Sequence, residues 1–69
     1  MTIKDIEQMR DVQGNVNFYA EEQEQEVTHY IYFKSIDSLL EYVKKNYNDN
    51  LTHKENSKKK ITGVKIWRK

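Results

Sequence analysis

The sequence contains no cysteine, no proline and only two glycines among its 69 residues. Without cysteine the chain forms no disulfide and no thiolate metal site, which suits a reducing compartment such as the cytoplasm. The two glycines, Gly14 and Gly63, stand far apart, so neither belongs to a glycine-rich loop of the kind that binds phosphate. The sequence therefore predicts no bound cofactor and a cytoplasmic location.

Long hydrophobic runs are also missing. The longest uninterrupted apolar run covers residues 30–33, whereas a membrane-spanning helix needs about 20 apolar residues. The first residues include Asp5, Glu7 and Asp11, unlike the basic start of a signal peptide. We therefore expect neither a membrane partner nor secretion.

The chain is short for an enzyme. A domain of this length buries only about 60% of the surface that its unfolded chain exposes, which leaves little room for an enclosed substrate pocket of about 300 Å³. The only imidazoles, His29 and His53, match no ligand spacing. The acidic stretch 21–26 lacks the Asp/Asn alternation and glycine bend of calcium loops, so we interpret it as a solvated turn. We expect a single non-enzymatic domain over 1–69, without a metal site.

Charge is distributed unevenly along the chain. Residues 1–42 carry 3 basic and 9 acidic side chains, a net charge of −6, whereas residues 43–69 carry 9 basic and 2 acidic side chains, a net charge of +7. Such asymmetry has two explanations. Either one end contacts a polyanion or a charged protein surface, or the two halves fold against each other and cancel.

Two segments have helical patterns. Ile3, Ile6 and Met9 recur at a spacing of three behind a Thr-x-x-Asp cap, which predicts a short helix over 3–11 that stops before Gly14. A second helix is predicted over 35–47, with Ser35 as N-cap or a start one turn later. Its apolar stripe consists of Ile36, Leu39, Leu40, Val43 and Tyr47.

The polar stretch that follows, residues 48–60, shows no sustained periodicity and contains one isolated apolar residue, Leu51. Clusters of Asn, Asp, Ser and Lys between periodic segments are typical of loops. We therefore predict a flexible polar loop over 48–60.

Three segments alternate with a period of two. Segments 16–20 and 27–33 predict an antiparallel hairpin, and 61–68 predicts a third strand. Keeping every apolar residue on one face favours a hairpin that pairs Val16 with Ile31, Phe18 with His29 and Ala20 with Val27, with a loose tip near residues 23–24. A right-handed crossover places the third strand beside the first. The predicted fold is α+β, in the element order α-β-β-α-β, with a small antiparallel sheet of order 2-1-3 and the helices packed on one face.

The opposite face of this sheet is predicted to be rich in aromatic side chains. Aromatic residues favour strands, so the rings could serve only to stabilise the sheet. Tyrosine and tryptophan are also enriched at the centres of protein interfaces, which favours a partner protein or a homodimer. On this interpretation the partner-binding residues are Tyr19, Tyr30, Tyr32, Lys34, Lys65 and Trp67.

Nucleic acid is the alternative partner. Rings interleaved with cations form stacking platforms for single-stranded DNA or RNA. The aromatic motif of the four-stranded RNA-binding sheet is missing, as is a Gly-x-x-Gly loop. The cations that would serve this function are Lys58, Lys59, Lys60, Arg68 and Lys69.

The residue usage carries one further hint. Ten lysines, six asparagines, six isoleucines and five tyrosines accompany a single alanine, as in AT-rich genomes. Together with the small size and the lack of enzymatic motifs, this composition resembles that of accessory proteins of phages and mobile elements. The resemblance implies an inhibitor or adaptor that binds a host protein stoichiometrically, for example a nucleic-acid enzyme. The acidic hairpin tip or the basic C-terminal strand would then set its specificity.

Overall fold

The computed structural model describes residues 1–12 and 14–68, in which two α-helices and three strands follow the predicted order. The strands form one antiparallel sheet of order β2-β1-β3, so the predicted fold class and strand order are confirmed. The elements are α1 (Ile3–Glu7), a 3₁₀ helix (Gln8–Asp11), β1 (Val16–Glu24), β2 (Val27–Phe33), α2 (Ile36–Asn46) and β3 (Lys59–Arg68).

Both helices begin at side-chain caps that the sequence predicts. Thr2 and Asp5 form a reciprocal capping box at α1, and the Ser35 hydroxyl accepts a hydrogen bond from the Ser38 amide at α2. The predicted helix over 3–11 is divided, because its second half tightens into the 3₁₀ helix. Gly14, which follows, has a φ of +94°, a conformation that glycine adopts without strain.

The hairpin register differs from the prediction by four residues. Phe18 pairs with Phe33 and Ala20 with Ile31, so the pairing of Phe18 with His29 is wrong. A shift by an even number of residues leaves the same side chains on the buried face, so the hydrophobic pattern could not distinguish the two registers. The turn decides between them: Gln25 adopts a φ of +54° and allows a two-residue turn at 25–26 instead of the predicted loose tip at 23–24.

A β-bulge interrupts the pairing of β1 with β3. Glu21 pairs with Gly63 and Glu22 pairs with Ile61, which leaves Thr62 as the extra residue. Val64, on the C-terminal side of the bulge, faces the helices, and so does Ile61 on its N-terminal side. Because of the bulge, β3 directs an odd-numbered residue and an even-numbered residue to the same side of the sheet.

The core lies between the helices and one face of the sheet. From Val16 to Gln23, β1 alternates between buried and partly exposed side chains, and α2 contributes Leu39, Leu40 and Val43 from the predicted stripe. The buried apolar residues are Ile3, Ile6, Val16, Phe18, Ala20, Leu39, Leu40, Val43, Tyr47, Leu51 and Ile61. The opposite face of the sheet is therefore left without helices.

Glu22 contradicts the interpretation of the acidic stretch as a solvated turn. This carboxylate lies within β1, on the core face, and only 5% of the residue is exposed. It accepts hydrogen bonds from the hydroxyl groups of Tyr47 and Tyr42, the latter at 2.7 Å, and Lys59 Nζ lies 3.4 Å away. A buried carboxylate needs such partners to offset the loss of water. Tyr42 in α2 and Tyr47 at its C-cap supply them from a distant part of the chain, which the local sequence could not show.

Segment 48–58 is tied to three elements through its backbone. The Ile61 amide donates to the Leu51 carbonyl at 3.0 Å, the Lys54 amide donates to Asn46, and the Ile3 amide donates to Asp49. Leu51, isolated in the sequence, is only 1% exposed and belongs to the core. The bond to Ile61 continues the sheet edge into this segment. Residues 59–60 of the predicted loop belong to β3, and the flexibility of the rest stays a prediction.

Candidate functional site

The outer face of the sheet carries the predicted cluster of rings. Residues of odd number in β1 and of even number in β2 share this face, because paired residues of antiparallel strands point to the same side. In β3 the odd-numbered residues from Gly63 onward belong to it, and before the bulge Lys60 does. We call the set Tyr19, Tyr30, Tyr32 and Trp67 the aromatic face. Trp67 is 68% exposed, Tyr30 54% and Tyr32 44%, while Tyr19 at the centre is half-buried.

Contacts between neighbouring strands hold the rings in place. The centroids of Tyr19 and Tyr32, which are directly paired residues, lie 5.6 Å apart with the rings tilted. Lys65 Nζ lies 5.2 Å from the centroid of the Tyr30 ring, across the central strand. Tilted ring pairs and cation–π contacts of this kind are attractive. The rings of Tyr19, Tyr30 and Tyr32 are therefore positioned by contacts within the sheet.

Polar groups between the rings fix the tyrosine hydroxyls. The Tyr30 hydroxyl donates to Glu21 Oε2 at 3.2 Å, and the Tyr32 hydroxyl donates to Asn17 Oδ1 at 3.0 Å. Thr62 Oγ1 donates to the other carboxylate oxygen of Glu21 at 2.7 Å. The bond from Thr62 lowers the pKa of Glu21, with the bond from Tyr30 and the charge of Lys65 acting in the same direction. Glu21 is thus an anion set among exposed rings.

An open groove runs over this surface. Tyr19, Tyr30, Lys65 and Trp67 line this groove, whose volume is about 500 Å³. Volumes of this size are typical of small-molecule sites, but those are concave and enclosed on most sides. The groove is lined by side chains from all three strands and is open to solvent, which suits a protruding side chain or a base.

Gly63 leaves a gap in the middle of the same surface. It pairs with Glu21 beside the bulge, and a Cβ built on it meets no atom within 4 Å. Glycine within a strand lowers stability and often marks a place where another molecule approaches the backbone closely. The fold itself does not require glycine there.

The lysines proposed for binding fall into separate groups. Lys65 belongs to the groove, and Lys34 follows β2 directly as an exposed residue. Lys60 pairs with Gln23 at the other end of the outer face. Lys59 is directed to the core side, where it pairs with Glu22. Lys58 lies exposed in the turn before β3.

The end of β3 completes the predicted set. Arg68 is the last residue of β3 and pairs with Val16, while Lys69 lies outside the described residues. Among the described residues, the structure brings Tyr19, Tyr30, Lys65 and Trp67 together, whereas Lys59 pairs with the core-side Glu22 and Lys60 lies at the other end of the outer face.

A second cavity, of about 340 Å³, lies between the two helices and segment 48–58. Three of its charged side chains have partners: Lys44 Nζ is 2.9 Å from Glu7 Oε1, and Lys54 Nζ donates to the Lys44 carbonyl at 2.9 Å. The bond from Lys44 lowers the pKa of Glu7. These pairs join α1 to α2 and close the C-terminal end of α2, so they serve the fold.

The two histidines lie in different parts of the fold. His53 Nδ1 accepts hydrogen bonds from the amides of Glu55 and Asn56, and its ring packs edge-on against Tyr47 with centroids 5.1 Å apart. His29 shares the core face of β2 but is exposed, opposite Glu22. Within residues 1–12 and 14–68 there is no cluster of three potential metal-binding side chains. In the same residues no helix is long and apolar enough to cross a membrane.

Comparison with protein-family models, with curated proteins and with solved structures gives no match. The geometry of the chain itself is therefore the basis for a functional conclusion.

Proposed function

We propose that this protein is a small non-enzymatic binding protein that docks on a partner protein, in one-to-one stoichiometry, through its aromatic face. One observation carries the proposal: four rings share an outer face without helices, and three of them remain 44–68% exposed. Exposed apolar patches that are already rigid are typical of interaction sites.

The distribution of polar groups supports a protein as the partner. Interface centres combine rings with few charges, and their margins are polar. Here one carboxylate, Glu21, and one ammonium group, Lys65, lie among the four rings. The polar residues Gln23, Thr28 and Lys60 occupy the other end of the face. The resemblance to accessory proteins of phages and mobile elements points to a host protein in the cytoplasm, for example a nucleic-acid enzyme.

A single-stranded nucleic acid is the second candidate partner. The contact of Lys65 with the Tyr30 ring favours it, because a base stacked on the ring would bring its phosphate close to the ammonium group. The pairing of Lys59 with Glu22 weighs against it, since that cation is directed away from the rings. A protein partner accounts for the four clustered rings and does not require the lysines to lie beside them, so we prefer it to a nucleic acid.

The proposal predicts that Tyr30→Ala weakens binding by about 2 kcal/mol or more, as at interface hot spots. Val27→Ala is the matched control, because Val27 is equally exposed, at 54%, but points to the opposite face of β2. The measurement is affinity capture of the host partner, its identification by mass spectrometry, and calorimetric titration of both variants. Equal binding by the two variants would contradict docking through the aromatic face.

Nucleic-acid binding is tested separately through Trp67. A single-stranded oligonucleotide that stacks on this surface would quench the indole fluorescence, and the quenching would weaken as salt rises. We expect no response for a protein-specific surface. Salt-sensitive quenching that disappears in Tyr30→Ala would favour the second candidate.

Gly63→Val provides a steric test of the same surface. Because a Cβ fits without contact, and because glycine in a strand costs about 0.5–1 kcal/mol, we expect stability to stay equal or rise. The same side chain would protrude into a closely docked partner and weaken binding. The measurement is urea denaturation combined with the calorimetric titration. Full affinity in a folded Gly63→Val protein would exclude close approach at this point.

A further inference from the structure

The outer edge of β2 is unprotected. This strand, Val27–Phe33, is at the margin of the sheet and contains no charged residue and no proline. Its pairing with β1 proceeds without a bulge. Natural proteins usually protect edge strands with charges, proline, bulges or a covering segment. None of the first three devices is present in β2.

The direction of the free backbone groups follows from the turn. A two-residue turn makes Glu24 and Val27 the closing hydrogen-bonded pair, and such pairs alternate along an antiparallel ladder. The amides and carbonyls of Thr28, Tyr30 and Tyr32 therefore point outward. No backbone hydrogen bond between described residues outside the sheet ladder uses these groups.

The opposite edge of the sheet is different. β3 is partly covered by segment 48–58, through the bonds from Ile61 to Leu51 and from His53 to Lys59. It also carries basic side chains along its length, including Lys60 and Lys65. Of the two edges, β2 is the one that is open to another strand.

We propose that β2 pairs antiparallel with β2 of a second copy of this chain, about a twofold axis at Tyr30. In this register Thr28 lies opposite Tyr32 of the second copy, and exposed Val27 lies opposite Phe33 of the second copy. All seven residues of β2 find a partner, and no like charges meet, because the strand carries none. The two sheets become one sheet of six strands.

The charges at the two ends of β2 fit the same register. Lys34 follows the strand and Glu26 precedes it. Antiparallel pairing about Tyr30 brings Lys34 of each copy beside Glu26 of the second copy, so two opposite-charge contacts close the ends. Neither side chain forms an ion pair within the described part of the chain. This complementarity identifies a second copy, rather than an unrelated strand, as the occupant.

The pairing is independent of the proposed partner binding. It uses main-chain groups at the edge of the sheet, whereas docking uses the rings on its outer face. Tyr30 lies at the twofold axis and belongs to both, so the variants that test the pairing are placed at Glu26, Thr28 and Lys34. Twofold pairing leaves both aromatic faces on the same side of the joined sheet, so a dimer would present two of them. Either property can fail without the other.

Sedimentation equilibrium of the wild-type protein and of charge-reversed variants tests the proposal. We expect a dimer whose Kd rises about tenfold or more in Lys34→Glu and in Glu26→Lys, because each replaces two attractive contacts by two repulsive ones. The double variant should recover the wild-type Kd. Lys45→Glu, an equal charge change at an exposed position of α2, should leave it unchanged.

Thr28→Pro tests the edge itself. Its amide points outward, so proline removes no bond to β1 but removes one from each side of the dimer. We expect a folded monomer by circular dichroism and sedimentation. A wild-type monomer up to about 1 mM would overturn the proposal. A dimer that resists both Thr28→Pro and Lys34→Glu would also overturn it, because its contact would lie elsewhere.

Discussion

Glu22→Ala is expected to destabilise the fold by roughly 3–5 kcal/mol, because it leaves buried polar groups without their common acceptor. The hydroxyl groups of Tyr42 and Tyr47 both donate to this carboxylate, and Lys59 lies beside it. Tyr47 is only 1% exposed. A domain of this size has a stability of only about 3–5 kcal/mol, so the variant should be largely unfolded in water. The measurement is circular dichroism with urea denaturation.

Two further variants separate the buried network from a general effect of charge. Glu21→Ala removes the neighbouring carboxylate on the outer face, where solvent can replace its bonds, and should destabilise the fold far less than Glu22→Ala. Glu22→Gln keeps the shape of the side chain and one acceptor oxygen. Its free energy of unfolding should lie between those of Glu21→Ala and Glu22→Ala. Equal stability of Glu21→Ala and Glu22→Ala would contradict the role assigned to Glu22.

The same network predicts a pH dependence with a known sign. Burial by itself raises the pKa of Glu22, but the bonds from Tyr47 and Tyr42 and the charge of Lys59 outweigh it, so the pKa lies below the ordinary 4.5. A lowered pKa stabilises the fold above the unfolded value, and this contribution is lost as the pH falls through the folded value. Glu22→Gln should therefore lose part of the acid sensitivity of the wild-type protein.

At high pH the tyrosines act in the opposite direction. Burial and the neighbouring Glu22 raise the pKa of Tyr42 from 10.0 to about 12 and that of Tyr47 further. A raised pKa of an acid stabilises the fold below the unfolded value, and this contribution is lost as the pH rises toward the folded value. The expected result is maximal stability on a plateau that declines below about pH 4.5 and above pH 10.

Leu51→Ala is expected to cost about 2–5 kcal/mol, the range for a buried leucine that leaves a cavity. The residue is 1% exposed and lies where segment 48–58 meets the core, and its carbonyl bonds to Ile61. Loss of the side chain should also release the segment. Urea denaturation gives the free energy, and hydrogen exchange of the Ile61 amide reports the local opening.

The backbone of Leu51 permits a sharper comparison. Its φ of +66° is in the left-handed region, which costs a non-glycine residue roughly 1–2 kcal/mol. Leu51→Gly should therefore be no less stable than Leu51→Ala. At Leu39, which is fully buried within α2, the order should reverse, because glycine is about 1 kcal/mol worse than alanine in a helix. If the alanine variant were more stable than the glycine variant at both positions, the left-handed conformation of Leu51 would be contradicted.

Periodicity and caps were sufficient for the elements and their order. Ser35 and the stripe from Ile36 to Tyr47 predict α2 almost to the residue, because local spacing alone decides which face of a helix is apolar. The alternation in β1, β2 and β3 likewise predicts which side chains share the outer face. For this reason the ring cluster around Tyr19 and Trp67 could be predicted without coordinates.

The sequence by itself therefore determined the α+β class, the strand order and the composition of the aromatic face. Only the tertiary structure decided the hairpin register, the bulge at Thr62 and the burial of Glu22 and Leu51. An even shift of a strand leaves its buried face unchanged, so the hydrophobic pattern carries no information about the register. The partners of a buried carboxylate come from elements distant in sequence. The local pattern around Glu22 therefore predicts a solvated charge, whereas the fold brings hydrogen-bond donors to it.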